Sequence, residues 1–289
     1  MLKQGIRDLC ERRFRAGKRL VAPLMGFPGV ELIGSNIKLV QQNFSEHYRG
    51  VKALADRFRP DILFPVMDLS VEANALGRYT VFPTKDPAAV PKEPFDINEL
   101  DRLREVNIAC DTRLIGYVET IKLMNIGLPR ETIRGAYATG PYSLVSLILG
   151  ADEAAMATVM NPDALHRICE FATEEIGAYI RLLTAAGAEL IAILEPSAQM
   201  LSPDQFEQFS GTYVKHLVRS LKYGRNATML HVCGRSQHLV GQMVASGVDI
   251  VSIDSPQMGM DLPGLLDEVP EEVILMGNIC PATVMLREP

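Results

Sequence analysis

From about residue 20 onward, short apolar runs alternate with segments of helical periodicity. The runs at 20–25, 62–67, 133–139, 189–194, 227–232, 249–253 and 273–277 are the candidate strands. Most are continuously apolar, the pattern of parallel strands buried on both faces. Helix signals fall between them. Ser202 is placed to cap a helix opening at Pro203 and Asp204, with Phe206, Phe209 and Tyr213 at helical spacing. Pro162 and Asp163 open another that runs past Glu175, and residues 1–19 read as an amphipathic first helix. Between the second and third strands, about 69–132 form a long insertion over one rim, with four prolines after Phe82 in the loop-like stretch 82–94.

Seven strand–helix units predict a (β/α)8 TIM barrel rather than a Rossmann fold, because no Gly-x-Gly-x-x-Gly follows any strand. The whole chain, 1–289, reads as a single barrel domain. After 273–277 only 282–289 remain, so the eighth strand and helix are expected to be missing.

Composition narrows the classes without changing this picture. Hydrophobic residues are 47% and charged residues 22% of the 289, which is ordinary for a globular protein and not for a disordered or fibrous one. A net charge of −6 with no Trp argues against a nucleic-acid partner. The most apolar stretches, 142–149 and 189–194, are too short to cross a bilayer, and no secretory signal opens the chain. Five widely spread cysteines do not make a disulfide framework, so a reducing cytoplasm is expected.

In a parallel barrel the chemistry lies at the C-terminal strand ends. There the sequence places Met25, Asp68, Glu195, His231 with Cys233, Asp254, and Asn278 with Cys280. His231-Val232-Cys233-Gly234 is the sharpest element. Residues two apart on a strand share a face, so imidazole and thiolate can begin a zinc site, which in a catalytic centre needs three protein ligands and an open position. The same pair also reads as simple buried packing. Asp254 and Cys280 are candidates to complete the shell, or else a turn cap and an inert thiol. Glu195, before Pro196, could bind substrate or metal, or be a solvated loop acid. Asp68 enters an otherwise apolar mouth, as a proton partner, a polar anchor or a turn-former. His47, His166, His216 and His238 fall on helices without ligand spacing, and Gly-x-Ser-x-Gly, Walker A and His-Glu-x-x-His patterns are absent.

Taken in order, Asp68-Leu-Ser-Val-Glu-Ala-Asn-Ala-Leu-Gly77, Gly140-Pro-Tyr-Ser-Leu144, Glu195-Pro-Ser-Ala198 with Leu201-Ser-Pro203 and Phe206, His231-Val-Cys-Gly234, and Gly277-Asn-Ile-Cys-Pro281 resemble the uroporphyrinogen decarboxylase superfamily over about 20–285. The resemblance implies its barrel and either of two chemistries. The decarboxylase branch uses an Arg-rich segment after the first strand and an Asp; Asp68 matches the Asp, but Met25-Gly-Phe-Pro-Gly29 has no Arg, and Leu147 stands where a tyrosine is expected.

The zinc-dependent methylcobamide:coenzyme M methyltransferase branch has His-x-Cys with a distant second Cys. His231 and Cys233 match, Asp254 falls where an acid is a candidate fourth ligand, and the distant Cys would lie beyond Pro289. Cys280 stands where members commonly carry Asp. This branch implies Zn2+, methylcobalamin or another corrinoid as methyl donor, and a small coenzyme M-like thiol as acceptor. Its partners would be a separate corrinoid protein and, as one possible assembly, a second copy of the chain. Asp68 and Glu195 would line the pocket in catalytic roles, with Met25 and Asn278 toward the cofactor. The alternatives are a decarboxylase-like lyase acting through Asp68, or a non-catalytic corrinoid-binding homologue.

Overall fold

The computed structural model describes residues 2–221 and 226–285. Six parallel strands lie in sequence order in one curled sheet: β1 (Ile62–Leu63), β2 (Ile133–Thr139), β3 (Leu190–Leu194), β4 (Ala227–His231), β5 (Ile250–Ser252) and β6 (Ile274–Met276). Helical crossovers join them, giving a partial (β/α) barrel. The last residues of the tail expected after the seventh strand lie outside the described residues.

The sequential, all-parallel order follows from the continuous apolar runs, which need cover on both faces. The inward face carries Phe64, Tyr137, Ala192, Leu194, Met229 and Ile250 in one cluster. The outward face sends Ile191, Ile193, Leu230, Val232, Val251 and Ile253 into the layer of helices. Inside the barrel Phe64 and Tyr137 stack with centroids 4.7 Å apart. Gly135 has to be glycine there, since a Cβ would run into the Phe64 ring.

Two of the seven expected strands are altered, each by a proline. Residues 20–25 do not form a ladder: Val21 alone meets the sheet, its carbonyl accepting from the amides of Asp61 (2.9 Å) and Ile62 (3.1 Å). Pro23 has no N–H to continue the pairing. Leu20, Ala22 and Leu24 still pack on the inward cluster. The expected 62–67 strand shortens to β1 because Pro65 cannot donate, and the next amide, Val66, turns to Nε2 of His47 at 2.7 Å.

The first helix, Leu2–Arg15, buries Ile6 in the inward cluster and is tied to the base of β1 by Arg13 and Asp61, 2.6 Å apart. Ser202 caps its helix in a reciprocal box with Gln205, at 3.3 Å and 3.1 Å, and Phe206 and Phe209 are buried as their spacing predicts. The helix over Pro162–Ala185 begins where expected, with Asn161 as its cap. The 69–132 segment is more than a rim cover: its helix Thr112–Gly127 buries Leu114, Val118, Ile121 and Met124 in the outer core.

No single helix among the described residues is long and apolar enough to cross a membrane. The pair Pro141–Leu149 and Ala151–Met160 passes by composition and length but bends by 107°, and the first of the two is largely buried in the core.

Candidate active site at the strand ends

Parallel pairing sets Leu194, His231, Ser252 and Met276 at one level across β3 to β6, near the C-terminal rim. The alternation of β4 turns Met229 inward and Leu230 outward, so His231 faces the interior and Val232 packs into the helix layer. Nδ1 of His231 lies 3.0 Å from the Ser252 hydroxyl. Burial lowers the His231 pKa against the upward pull of Asp254, which keeps the ring neutral and able to bind a cation. Cys233 follows half-buried. Burial, and then the Asp254 charge, raise its thiol pKa. His231 and Cys233 therefore both feel the charge of the same carboxylate, which holds the next residue, Gly234, by its amide.

Asp254 itself is committed elsewhere. Its Oδ2 accepts the Gly234 amide and its Oδ1 the Ser255 amide, both at 2.6 Å. Desolvation pushes its pKa up, but these hydrogen bonds win and hold it below the ordinary carboxylate range. Gly234 has φ +77°, and a Cβ there would collide with the Gln199 side chain, so only glycine makes this turn. Asp254 thus staples the turn after Cys233 to β5.

Cys280 sits past β6 with its pKa lowered by hydrogen bonding to Thr283. Asn278 donates to the Met260 carbonyl at 3.0 Å, and Met25 packs against the outer core. Among the described residues, no three His, Cys, Asp or Glu side chains gather to hold a metal ion. The four expected ligands are thus not brought together as a set: His231 and Cys233 occupy the end of β4, and Asp254 and Cys280 are engaged by the loops.

Of the roles open to Asp68 by sequence, proton partner, polar anchor or turn-former, the structure shows the turn bond to Ser70 within a polar, not apolar, surround. The carboxylate is fully buried and accepts from Gln41 Nε2 (2.7 Å), Tyr117 hydroxyl (2.8 Å), the Ser70 amide (2.9 Å) and hydroxyl (2.7 Å), and the Arg113 guanidinium. Arg113 also reaches Ser70 Oγ at 2.9 Å and Asn74 Oδ1 at 3.2 Å, and lies under the Phe82 ring. His47 abuts Tyr117 edge-on at 4.9 Å. Burial drives its pKa to about 3, with Asp68 pulling the other way, so it is a neutral acceptor for Val66. Sequence reasoning missed Arg113, Tyr117 and Gln41. The available signal was Arg113, Tyr117 and Thr120 recurring at helical spacing on the apolar face of their helix.

Glu195 is also interior, and not a solvated loop acid. Its Oε1 accepts from the Tyr142 amide and Ser210 hydroxyl, both at 3.0 Å, and its Oε2 from the Ser143 amide at 2.8 Å. It caps the helix Pro141–Leu149 from a distance, where the dipole favours an anion. Gly140 leaves the space for it. Burial raises its pKa, partly offset by the bonds from Ser143, Tyr142 and Ser210. Glu195→Ala, which strands two helix amides, is expected to cost about 1–3 kcal/mol in urea unfolding. A loss below a few tenths of a kcal/mol would return Glu195 to the list of free acids.

An acid that sequence reasoning missed, Glu72, is buried and accepts from the Thr139 amide (2.7 Å) and hydroxyl (2.9 Å) at the end of β2. Burial lifts its pKa to about 7 against those bonds.

Comparison with known proteins places this architecture. The profile of the Uroporphyrinogen decarboxylase (URO-D) family matches residues 46–289. A uroporphyrinogen decarboxylase of Prochlorococcus marinus is 24% identical over 234 residues, covering 78% of this chain and 65% of its own length. A methylcobamide:CoM methyltransferase (MtbA) of Methanosarcina mazei is 26% identical over 204 residues, covering 70% of this chain and 58% of its own. The chain therefore spans about 65% or less of these relatives' length. Among solved structures, a methyltransferase from Methanosarcina mazei superposes with a TM-score of 0.79 at 21% identity, covering 90% of this chain and 77% of that one. That likeness shows a shared fold. With the profile spanning most of the chain, the protein belongs to the uroporphyrinogen decarboxylase (URO-D) family.

Proposed function

We propose that the chain is a zinc-dependent methyltransferase that moves a methyl group from a methylated corrinoid to a small thiol. The observation that carries this reading is the end of β4, where an inward imidazole bonded at Nδ1 is followed two residues on by a half-buried thiol, in the turn that Asp254 holds. Nitrogen and sulfur donors of this kind suit zinc. His231 and Cys233 would hold the ion; the described residues supply no third donor beside them. A bound zinc would supply the positive charge that keeps a thiol deprotonated at neutral pH.

The chain's own residues do the rest. The neutral His231 ring offers a lone pair without first losing a proton. Asp254 holds the Cys233–Gly234 turn, and Leu194 and Met276 set apolar side chains at the level of His231 across the sheet. A corrinoid and a thiol would meet at this rim.

A lyase acting through Asp68 is disfavoured by that carboxylate's saturation with donors and by the lack of Arg in 25–29.

The test is zinc content and methyl transfer from methylcobalamin to coenzyme M, compared with His231→Ala. The substitution should remove zinc and lower transfer by more than the roughly 10–100-fold typical of losing an outer partner of a metal ligand. A chain that takes up no zinc, or a variant that retains both zinc and activity, would overturn the reading.

A further inference from the structure

We infer that the base of the barrel carries a docking surface for an anionic lipid membrane, formed where the end of the first helix meets the end of the helix Phe44–Phe58. The chain would lie on such a surface without crossing it, with the His231 rim turned away. The inference is independent of the metal-binding reading above.

Asp61 gathers this surface. It directly precedes β1 and so sits at the opposite end of the strands from His231. Its carboxylate takes Arg13 at 2.6 Å and the Val21 amide at 2.9 Å, which brings the first helix and the chain after it beside residues 57–59. Gly17, at φ +70°, folds the chain back so that the Arg19 guanidinium lies 4.5 Å over the Phe14 ring. The end of Phe44–Phe58 repeats the arrangement, with Arg57 5.7 Å over Phe58. Arg59 follows in a left-handed conformation, φ +48°, where glycine is the ordinary residue.

The stretch 11–19 holds five basic residues and one acid in a chain whose net charge is −6, so the patch is a local reversal of sign. Among the described residues, Arg12, Lys18, Arg19, Arg57 and Arg59 make no ion pair. Helix dipoles account for a cation in each last turn, but not for Lys18 and Arg19 beyond the helix. Nor do they account for Phe14, Val21 and Phe58, each more than half exposed among these cations. Cations interleaved with projecting apolar side chains suit the boundary of a bilayer, where phosphates meet the first and acyl chains the second. A nucleic acid would satisfy the cations alone. It leaves Val21 without a partner, and a base stacking on Phe14 or Phe58 has to compete with the arginine already over the ring.

The experiment is co-sedimentation of the full chain with vesicles of phosphatidylcholine, alone or mixed with phosphatidylglycerol, across a salt series, beside fluorescence anisotropy with a labelled RNA oligonucleotide. The wild type should pellet with the mixed vesicles only, and less as salt rises. Among the described residues, the Arg12 and Lys18 side chains make no hydrogen bond or ion pair, so replacing both, Arg12→Gln with Lys18→Gln, should leave the thermal melt unchanged. The same pair should weaken vesicle binding roughly 25-fold, about fivefold for each cation near an anionic surface. Phe14→Ser should weaken it by about tenfold, through loss of the buried ring. A wild type that stays in the supernatant with mixed vesicles, or a double variant that pellets like wild type, overturns the inference. So does RNA binding that is tighter than vesicle binding and indifferent to Phe14→Ser, which would assign the patch to the phosphates of a nucleic acid.

Discussion

Asp68→Ala will lower the unfolding free energy by about 3–5 kcal/mol, the cost of breaking a buried ion pair from one side. The reason is what stays behind. Arg113 keeps its charge at any pH a protein survives, and its guanidinium would be left buried with only Ser70, Asn74 and the Phe82 face. The Tyr117 hydroxyl and Gln41 amide would lose their acceptor in the same step. Because the penalty belongs to the stranded cation, Asp68→Ala combined with Arg113→Met should be milder than Asp68→Ala alone, a non-additivity that a double-mutant cycle in urea reads directly. A single substitution costing under about 1 kcal/mol would mean that Asp68 is a solvated pocket acid after all.

The strands and the acids differ in how far the sequence alone reveals them. Continuous apolar runs such as 133–139 and 189–194 become β2 and β3 with at most one residue of change, because burial on both faces is a local property of composition. The failures at 20–25 and 64–67 are local too, and Pro23 and Pro65 were visible signs of them. The placing of His231 inward was legible from strand alternation. Which acids are free was not. Asp68 is paired with a cation 45 positions away, Glu195 accepts from an amide 52 positions away, and Glu72 from one 67 positions away. A carboxylate at a strand end looks the same in sequence whether it faces solvent, substrate or the N-terminus of a helix. Only the chain's return paths decide, and for Asp68 and Glu72 those depend on packing across the 69–132 segment, whose loops carry little periodicity.

Glu72 makes the protein's stability fall as pH rises through the weakly acidic range. Its carboxyl titrates near 7 in the folded chain because burial disfavours the anion, against an ordinary value of 4.5. Below about pH 4.5 both states are protonated and the full contribution is present. Between 4.5 and 7 the unfolded chain loses its proton first, so the folded state binds more protons and each step upward in pH costs stability. Above about 7 the loss is complete, on the order of 3 kcal/mol. The hydrogen bonds can serve the neutral form: a protonated Glu72 can donate to the Thr139 oxygen while that hydroxyl donates onward to the Leu69 carbonyl at 3.2 Å. Glu72→Gln reproduces this pattern permanently, with its amide donating to Thr139 Oγ1 and its carbonyl accepting the Thr139 amide. The variant should therefore match wild type near pH 4.5 and exceed it by roughly 1–3 kcal/mol above pH 7 in urea unfolding. Taking the difference between the two proteins at each pH cancels Glu195 and His231, which titrate alike in both. A difference that stays level across this range would show that Glu72 is ionised in the fold with its charge compensated, and would remove burial as the cause.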